Sequence, residues 1–300
     1  MDQIDAIEIP CSSRVQHRRI YSQAKPRHRT ASRCRFLTRG NEKKTENSQA
    51  ANHGRENNIG GIMWIEICSP APILNTPNFS SVFGGENGSE IPLNPKGQPH
   101  HFEFVALEGM AFQVEEMIPT HNATIYRVLC PFYSRSSALY LDSRFAKPGT
   151  NVIPQTLPPS KIIITKMTAL LGSPYVWGGN WSAGIPEMLS YYPAKGPIND
   201  RTRTLWTLRG VDCSGLLFEA SHGATPRNTA QLLHFGTPVE IGAKLKSLDM
   251  ILCPGHVVFI LDEKRTIEKN FRLGSFKETL QHDSGNFPAK ENRSICGPQS

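Results

Sequence analysis

The alternation of apolar and polar positions divides the chain into three stretches. Over residues 1–62 no hydrophobic period appears; Arg, Ser, Asn, Gln and His dominate, and the stretch reads as a structureless basic tail. From Met63 onward, apolar and β-branched residues recur in short runs broken by Gly, Pro and Asn. Met63-Trp64-Ile65-Glu66-Ile67, Phe102-Glu103-Phe104-Val105, Ala111-Phe112-Gln113-Val114, residues 124–129 and Ala138-Leu139-Tyr140-Leu141 read as strands, and their spacing predicts a small barrel over 63–150. Residues 146–160 are rich in Pro and form the expected linker. A third stretch, 151–300, opens on an amphipathic pattern. Ile163, Met167, Leu170 and Leu171 fall at i, i+4, i+7 and i+8, with Ser160 placed to cap the helix and Gly172 to end it. Later, Val257 to Leu261 is apolar at every position, as in a strand buried on both faces.

Composition narrows the class without naming it. Hydrophobic residues at 38% and charged residues at 20% are ordinary for a globular chain and exclude collagen, coiled coil and wholesale disorder. No apolar run reaches the ~18–20 residues that span a bilayer, and the first thirty residues hold no apolar block of ~7–15. A cytoplasmic location is therefore expected. The net charge of +7 sits unevenly: residues 1–62 carry twelve basic and six acidic side chains, leaving 21 against 20 for the rest. The basic cluster is a tail with almost no aromatics, so nucleic acid is not the expected partner. A sharper expectation is that translation starts at Met63, with Gly60-Gly61 just upstream encoding a ribosome-binding site, and that residues 1–62 are not made.

Seven cysteines, an odd number without any C-x-x-C pair, outline neither a disulfide framework nor a zinc site. A lone reactive thiol is the feature to look for, and the third stretch supplies a setting. In order come Pro174-Tyr175-Val176-Trp177-Gly178-Gly179, Val211-Asp212-Cys213-Ser214-Gly215-Leu216-Leu217, Pro226-Arg227-Asn228-Thr229, Leu245-Lys246-Ser247-Leu248-Asp249 and Gly255-His256-Val257-Val258-Phe259-Ile260. This ordered set, over roughly residues 160–272, resembles the NlpC-type papain-like cysteine peptidases of bacterial cell-wall metabolism. The stretch before it resembles a bacterial SH3-type domain. The resemblance implies an α+β papain-like catalytic domain preceded by a small SH3-like β-barrel.

The residues have their own logic. Cys213 precedes a helix-competent apolar run with Leu216, Leu217 and Ala220 on one flank, which puts its sulfur near a helix N-terminus, where the macrodipole favours an anion. Standing alone, such a cysteine reads as a buried structural residue; within the ordered set it reads as the nucleophile. Asp212 and Ser214 flank it and are candidates to hold polar substrate groups. The resemblance makes His256 the general base, Tyr175 a substrate-binding or oxyanion-stabilising group over the sulfur, and Glu268, about a dozen residues past the histidine, the third catalytic member. Strand parity tests the last point. If Asp262-Glu263-Lys264 close a three-residue turn, Val258 pairs with Glu268 and His256 with Asn270, so both candidates share the face of His256. Glu268 is the first choice and Asn270 the second; many family members carry histidine there. Arg227 is expected to tie down its loop.

By resemblance, the substrate is a peptidoglycan stem peptide or muropeptide and the bond that between γ-D-Glu and a diamino acid. No metal or other cofactor is called for. Relatives that pair an SH3-type barrel with this domain often select a free N-terminal L-Ala, and Asp212 is the expected partner of its ammonium. An amidase or acyltransferase on the same Cys-His scaffold, or a non-catalytic wall-binding protein, are the competing classes. Residues 180–210 form a long connection that either rims the cleft or covers the barrel, and oligomeric state is not legible.

Overall fold

A computed structural model describes residues 15–20, 63–133, 137–150, 155–240, 242–270 and 274–276. The alternating stretches of the first half form strands β2 (Met63–Ile67), β3 (Ala71–Leu74), β4 (Phe102–Ala106), β5 (Ala111–Pro119), β6 (Thr124–Leu129), β7 (Leu139–Asp142) and β8 (Ala146–Pro148), with one short helix, α1 (Phe79–Val82). They build a seven-stranded antiparallel sheet in the order β4-β3-β7-β6-β5-β2-β8. The expected barrel is not what forms: among the described residues no pairing joins β4 to β8, and the sheet stays open. The physical reason lies at the β4 edge. Val105 donates its N–H to Asn180 Oδ1 and accepts from Asn180 Nδ2, each at 2.8 Å, so a side-chain amide satisfies the edge that a closing strand would otherwise take.

The second half begins with α2 (Ser160–Ala169), which buries Ile163 and Met167. Ser160 is its first residue rather than its cap; Pro159 holds the N-cap position without a side-chain bond. Then follow β9 (Asn180–Trp181), α3 (Glu187–Tyr191), α4 (Asp200–Trp206), β10 (Gly210–Val211), α5 (Cys213–Ala220), α6 (Thr229–Leu232), β11 (Thr237–Pro238), β12 (Asp249–Cys253), β13 (His256–Asp262), β14 (Arg265–Asn270) and β15 (Gly274–Phe276). Here α5 is wrapped by apolar neighbours: Leu216, Leu217 and Ala220 share a core with Ile163, Met167, Val257, Phe259 and Ile267, while Phe218 belongs to the core of the first sheet. β13 is buried from Val257 to Leu261, as its unbroken apolar run predicts.

A four-residue strand upstream changes the reading of the tail. β1 (Gln16–Arg19) lies between β11 and β12, giving the order β11-β1-β12-β13-β14-β15. Arg19 makes two 2.8 Å hydrogen bonds to the carboxylate of Asp249, which is fully buried. Residues 16–19 thus form a strand of this sheet. The pattern concealed them because a short strand of polar and charged residues shows no apolar alternation, and its partner lies 230 positions away. The rest of the tail, and Cys11, Cys34 and Cys296, lie outside the described residues. Among the described residues no helix is long and apolar enough to cross a membrane.

The long connection 180–210 packs against the first sheet. Trp206, Tyr192, Met188 and Leu208 join Phe79, Phe83 and Phe102 in one core. The indole of Trp206 donates to the Tyr192 carbonyl at 2.9 Å, and the Tyr192 hydroxyl donates to Asp142 at 2.6 Å. Of the two roles open to this segment, covering the β-rich half is the one seen.

Candidate active site

Four local features place Cys213. Gly210-Val211 pairs with Asn180-Trp181, Asp212 caps the helix by accepting from Gly215 N at 2.7 Å, and Cys213 is the first residue of α5. The fourth is Gly215: a Cβ there would stand 2.0 Å from the Gly179 carbonyl oxygen, so only glycine lets the helix start this close to the Gly178-Gly179 turn. Cys213 is a free thiol, mostly buried, with its sulfur 3.8 Å from the Gly255 carbonyl oxygen.

His256 arrives on the opposing hairpin. Cys253 pairs with His256 across a two-residue Pro254-Gly255 turn, and Gly255 has φ 77°, the conformation that a Pro-Gly turn requires of its second residue. Directly after this turn, the His256 ring interacts with the Cys213 side chain, and its Nε2 hydrogen-bonds to Glu268 Oε2. Burial disfavours a charged ring, but the interactions with Cys213 and Glu268 outweigh it and raise the His256 pKa to about 10. At neutral pH the ring is therefore an imidazolium, lying between a sulfur and a carboxylate.

Glu268 reaches the ring by the expected register, through a different turn. Phe259 pairs with Ile267 and Ile260 with Thr266, which, continued, sets Val258 opposite Glu268 and His256 opposite Asn270. Asp262 pairs with Arg265, so two residues close the hairpin and the register shifts between Ile260 and Asp262. The irregularity at Leu261 restores the parity that a three-residue turn would have given. Asn270 ends β14 opposite Gly274 of β15, and Glu268 is the residue bonded to the histidine.

Tyr175 forms an isolated parallel bridge with Val211, two residues before the cysteine. Burial, then the proximity of Cys213 and Asp212, pushes its phenol well above the usual tyrosine range, so it is a neutral hydrogen-bonding group beside the sulfur. Asp212 and Ser214 are brought to the same place but are occupied. Asp212 Oδ2 accepts from Arg227 Nη2 at 2.7 Å and Gly178 N at 3.1 Å; Oδ1 accepts from Arg227 Nη1, Ser214 and Gly215. Arg227, 2% exposed, also donates to Ser214 Oγ, Asn180 Oδ1 and the Gly179 carbonyl. One guanidinium thus binds the helix cap, the turn before the cysteine and the amide that grips β4, which is more than the loop anchoring expected of it. Tyr133, in the β-rich half, acts electrostatically on this guanidinium and donates its hydroxyl to the buried Glu103 at 2.8 Å. Asn180, Tyr133 and Glu103 went unnoticed because each stands outside the ordered motifs.

No family model matches the chain, and no curated protein matches it. Solved structures do. An NlpC/P60 family protein from Bacillus cereus is 15% identical with TM-score 0.30, over 74% of this chain and 59% of that one. The peptidoglycan hydrolase RipB from Mycobacterium tuberculosis is 26% identical with TM-score 0.30, over 41% of this chain and 59% of its own. NlpC1 from Trichomonas vaginalis is 10% identical with TM-score 0.28, over 75% and 90%. The chain spans about three fifths of the length of the first two. Scores at this level carry no argument, and what the site can do follows from its own residues.

Proposed function

We propose that the protein is a cysteine peptidase that hydrolyses peptidoglycan stem peptides or muropeptides, at the bond between γ-D-Glu and a diamino acid. One observation carries the catalytic part: His256 is hydrogen-bonded to Glu268 and interacts with Cys213, with the cysteine at the first residue of a capped helix. A thiolate is the attacking form of cysteine, and both an imidazolium and a helix N-terminus favour it. The substrate class rests on the ordered motifs, from Tyr175 to His256, that resemble the cell-wall peptidases.

In this reading Cys213 sulfur adds to the amide carbonyl and forms the C–S bond. Imidazolium His256 then gives its proton to the leaving amine as the C–N bond breaks, leaving an acyl-enzyme and a neutral ring. Water attacks the thioester, His256 takes one of its protons, and the product leaves as a carboxylic acid that ionises to solvent, restoring the thiolate–imidazolium pair. Glu268 holds the ring's orientation and stabilises its positive form. The phenol of Tyr175 donates to substrate or to the developing oxyanion. Asp212, already paired with Arg227, holds the helix start, and Ser214 shares that network; a substrate ammonium approaching Asp212 would have to share it with the guanidinium.

Digestion of the tripeptide L-Ala-γ-D-Glu-diaminopimelate, and of its N-acetylated form, by native and Cys213→Ala protein tests this. Native protein should release free diaminopimelate and the Cys213→Ala variant none; selection for a free amine predicts slow cleavage of the acetylated form. Cleavage at a lactyl–L-Ala bond would instead mark an amidase, and acyl transfer without water addition a transferase. Retention on peptidoglycan with no turnover by either protein would mark a wall-binding module.

A further inference from the structure

β14 alternates its side chains between two faces, so Glu268 and Lys269 point apart. Glu268 serves the histidine. Lys269 is 0% exposed, and its ammonium donates to the Ser173 carbonyl at 2.7 Å and to the Ser173 hydroxyl at 2.8 Å. Ser173 lies between the end of α2 and Tyr175, and its hydroxyl donates in turn to the Leu170 carbonyl at 2.7 Å. Across the segment, Val211 N donates to the Pro174 carbonyl at 3.1 Å. The residues leading to Tyr175 are thus held from one side by the strand before Cys213 and from the other by Lys269.

We propose that Lys269 is a positioning residue: by gripping Ser173 it ties the segment that carries Tyr175 to the strand that carries Glu268. The functional meaning of that tie rests on the peptidase reading above; the tie itself does not. The chemistry supports a specific use. Burial pulls the Lys269 pKa down to about 8, against the pull of Glu219 across on α5, so the amine is still charged at pH 7. Glu219 is itself engaged by Ser182 N and Oγ at 2.8 and 2.6 Å and feels Lys166 of α2, which contacts His222. A buried cation costs stability that an apolar side chain of similar length would not. Two directed bonds to one residue are what an apolar side chain could not supply.

The test compares full-length native protein with Lys269→Met, Lys269→Arg and Ser173→Ala. Hydrogen exchange is read on peptides covering 173–178 and, as a control, 256–262, beside steady-state kinetics on the tripeptide. With Lys269→Met, exchange in 173–178 should rise roughly tenfold while 256–262 stays protected, and kcat/KM should fall, through kcat if Tyr175 serves the developing oxyanion and through KM if it serves substrate binding. Lys269→Arg should restore part of both. Native exchange rates in 173–178 of Lys269→Met overturn the proposal, whatever the kinetics show. If Lys269→Met does not fold, Ser173→Ala, which loses the hydroxyl and keeps the carbonyl, should give the same change at smaller size; unchanged exchange there overturns it as well. Absence of turnover in native protein would count against the peptidase reading alone, since the exchange measurement needs no substrate.

Discussion

Glu268 meets His256 along a diagonal: its direct partner on β13 is Val258, and the carboxylate reaches back two positions to the ring at the strand's first residue. Diagonal neighbours on an antiparallel pair stand ~7–8 Å apart at Cα, within reach of a glutamate side chain. Asn270, though directly across from His256 in register, has a shorter side chain and an acceptor without charge. The diagonal therefore favours the residue that can stabilise an imidazolium.

Activity should depend on pH through that ring. The His256 pKa is raised from 6.5 to about 10, so the imidazolium and the stability it confers are fully present below pH 6.5 and are lost as pH rises through about 10. The basic limb of kcat/KM is expected near pH 10 in native protein. Glu268→Gln removes one of the two groups holding the proton, so that limb should move to lower pH, and kcat/KM should fall on the order of 10²-fold. A limb that stays in place would separate Glu268 from the titration.

Arg227→Met tests the polar knot behind the nucleophile. It leaves Asp212, 8% exposed, without its ion partner. Removing one member of a buried pair costs about 3–5 kcal/mol, which urea unfolding would read as a lower midpoint at unchanged slope. Arg227→Met with Asp212→Asn should recover part of that loss; strict additivity of the two would show that the residues do not interact.

Arg19→Ala tests β1. Asp249 would stay buried with its Lys246 N–H bond and without the guanidinium, and losing hydrogen bonds to a charged group costs about 1.5–3 kcal/mol. A chain begun at Met63 should lose at least as much, because the β12 edge is then bare. Equal thermal midpoints for the chain from Met63 and the full chain would remove β1 from the fold. Intact mass of the native protein decides separately which of the two is made.

Gly215→Ala should abolish folding or turnover, since the added methyl meets a backbone carbonyl at 2.0 Å and neither partner can rotate away. A soluble Gly215→Ala protein with native kcat would show that the helix start tolerates displacement.

The sequence marked the site more clearly than the scaffold. Cys213, His256 and Glu268 were legible as candidates because the ordered motifs resemble a known family, with a helix start after Asp212 supporting the first and strand parity between β13 and β14 supporting the last. Even there the turn was misjudged, and the bulge at Leu261 happened to preserve the parity. Arg227 was seen only as a loop anchor because its partners, Asp212, Asn180 and Gly179, are spread over 48 positions, and nothing local reports such convergence. The open sheet was missed for a similar reason: alternation shows that a strand exists, not what covers its edge, and Asn180 carries no strand signal. β1 was hidden by its charges.

Asn180 has a consequence for anyone who would dissect this molecule. Its amide clasps the main chain of Val105 while Arg227 clasps the amide, and Trp206, Tyr192 and Phe218 are shared with the core of the first sheet. A fragment cut out at the proline-rich stretch near residue 157 would carry an oily flank into water and leave the guanidinium short of a ligand. The smallest working version of this protein is therefore expected to need both halves, and trimming it for crystallisation or engineering should proceed from the exposed tip where β5 turns into β6, residues 119–123, rather than from that stretch.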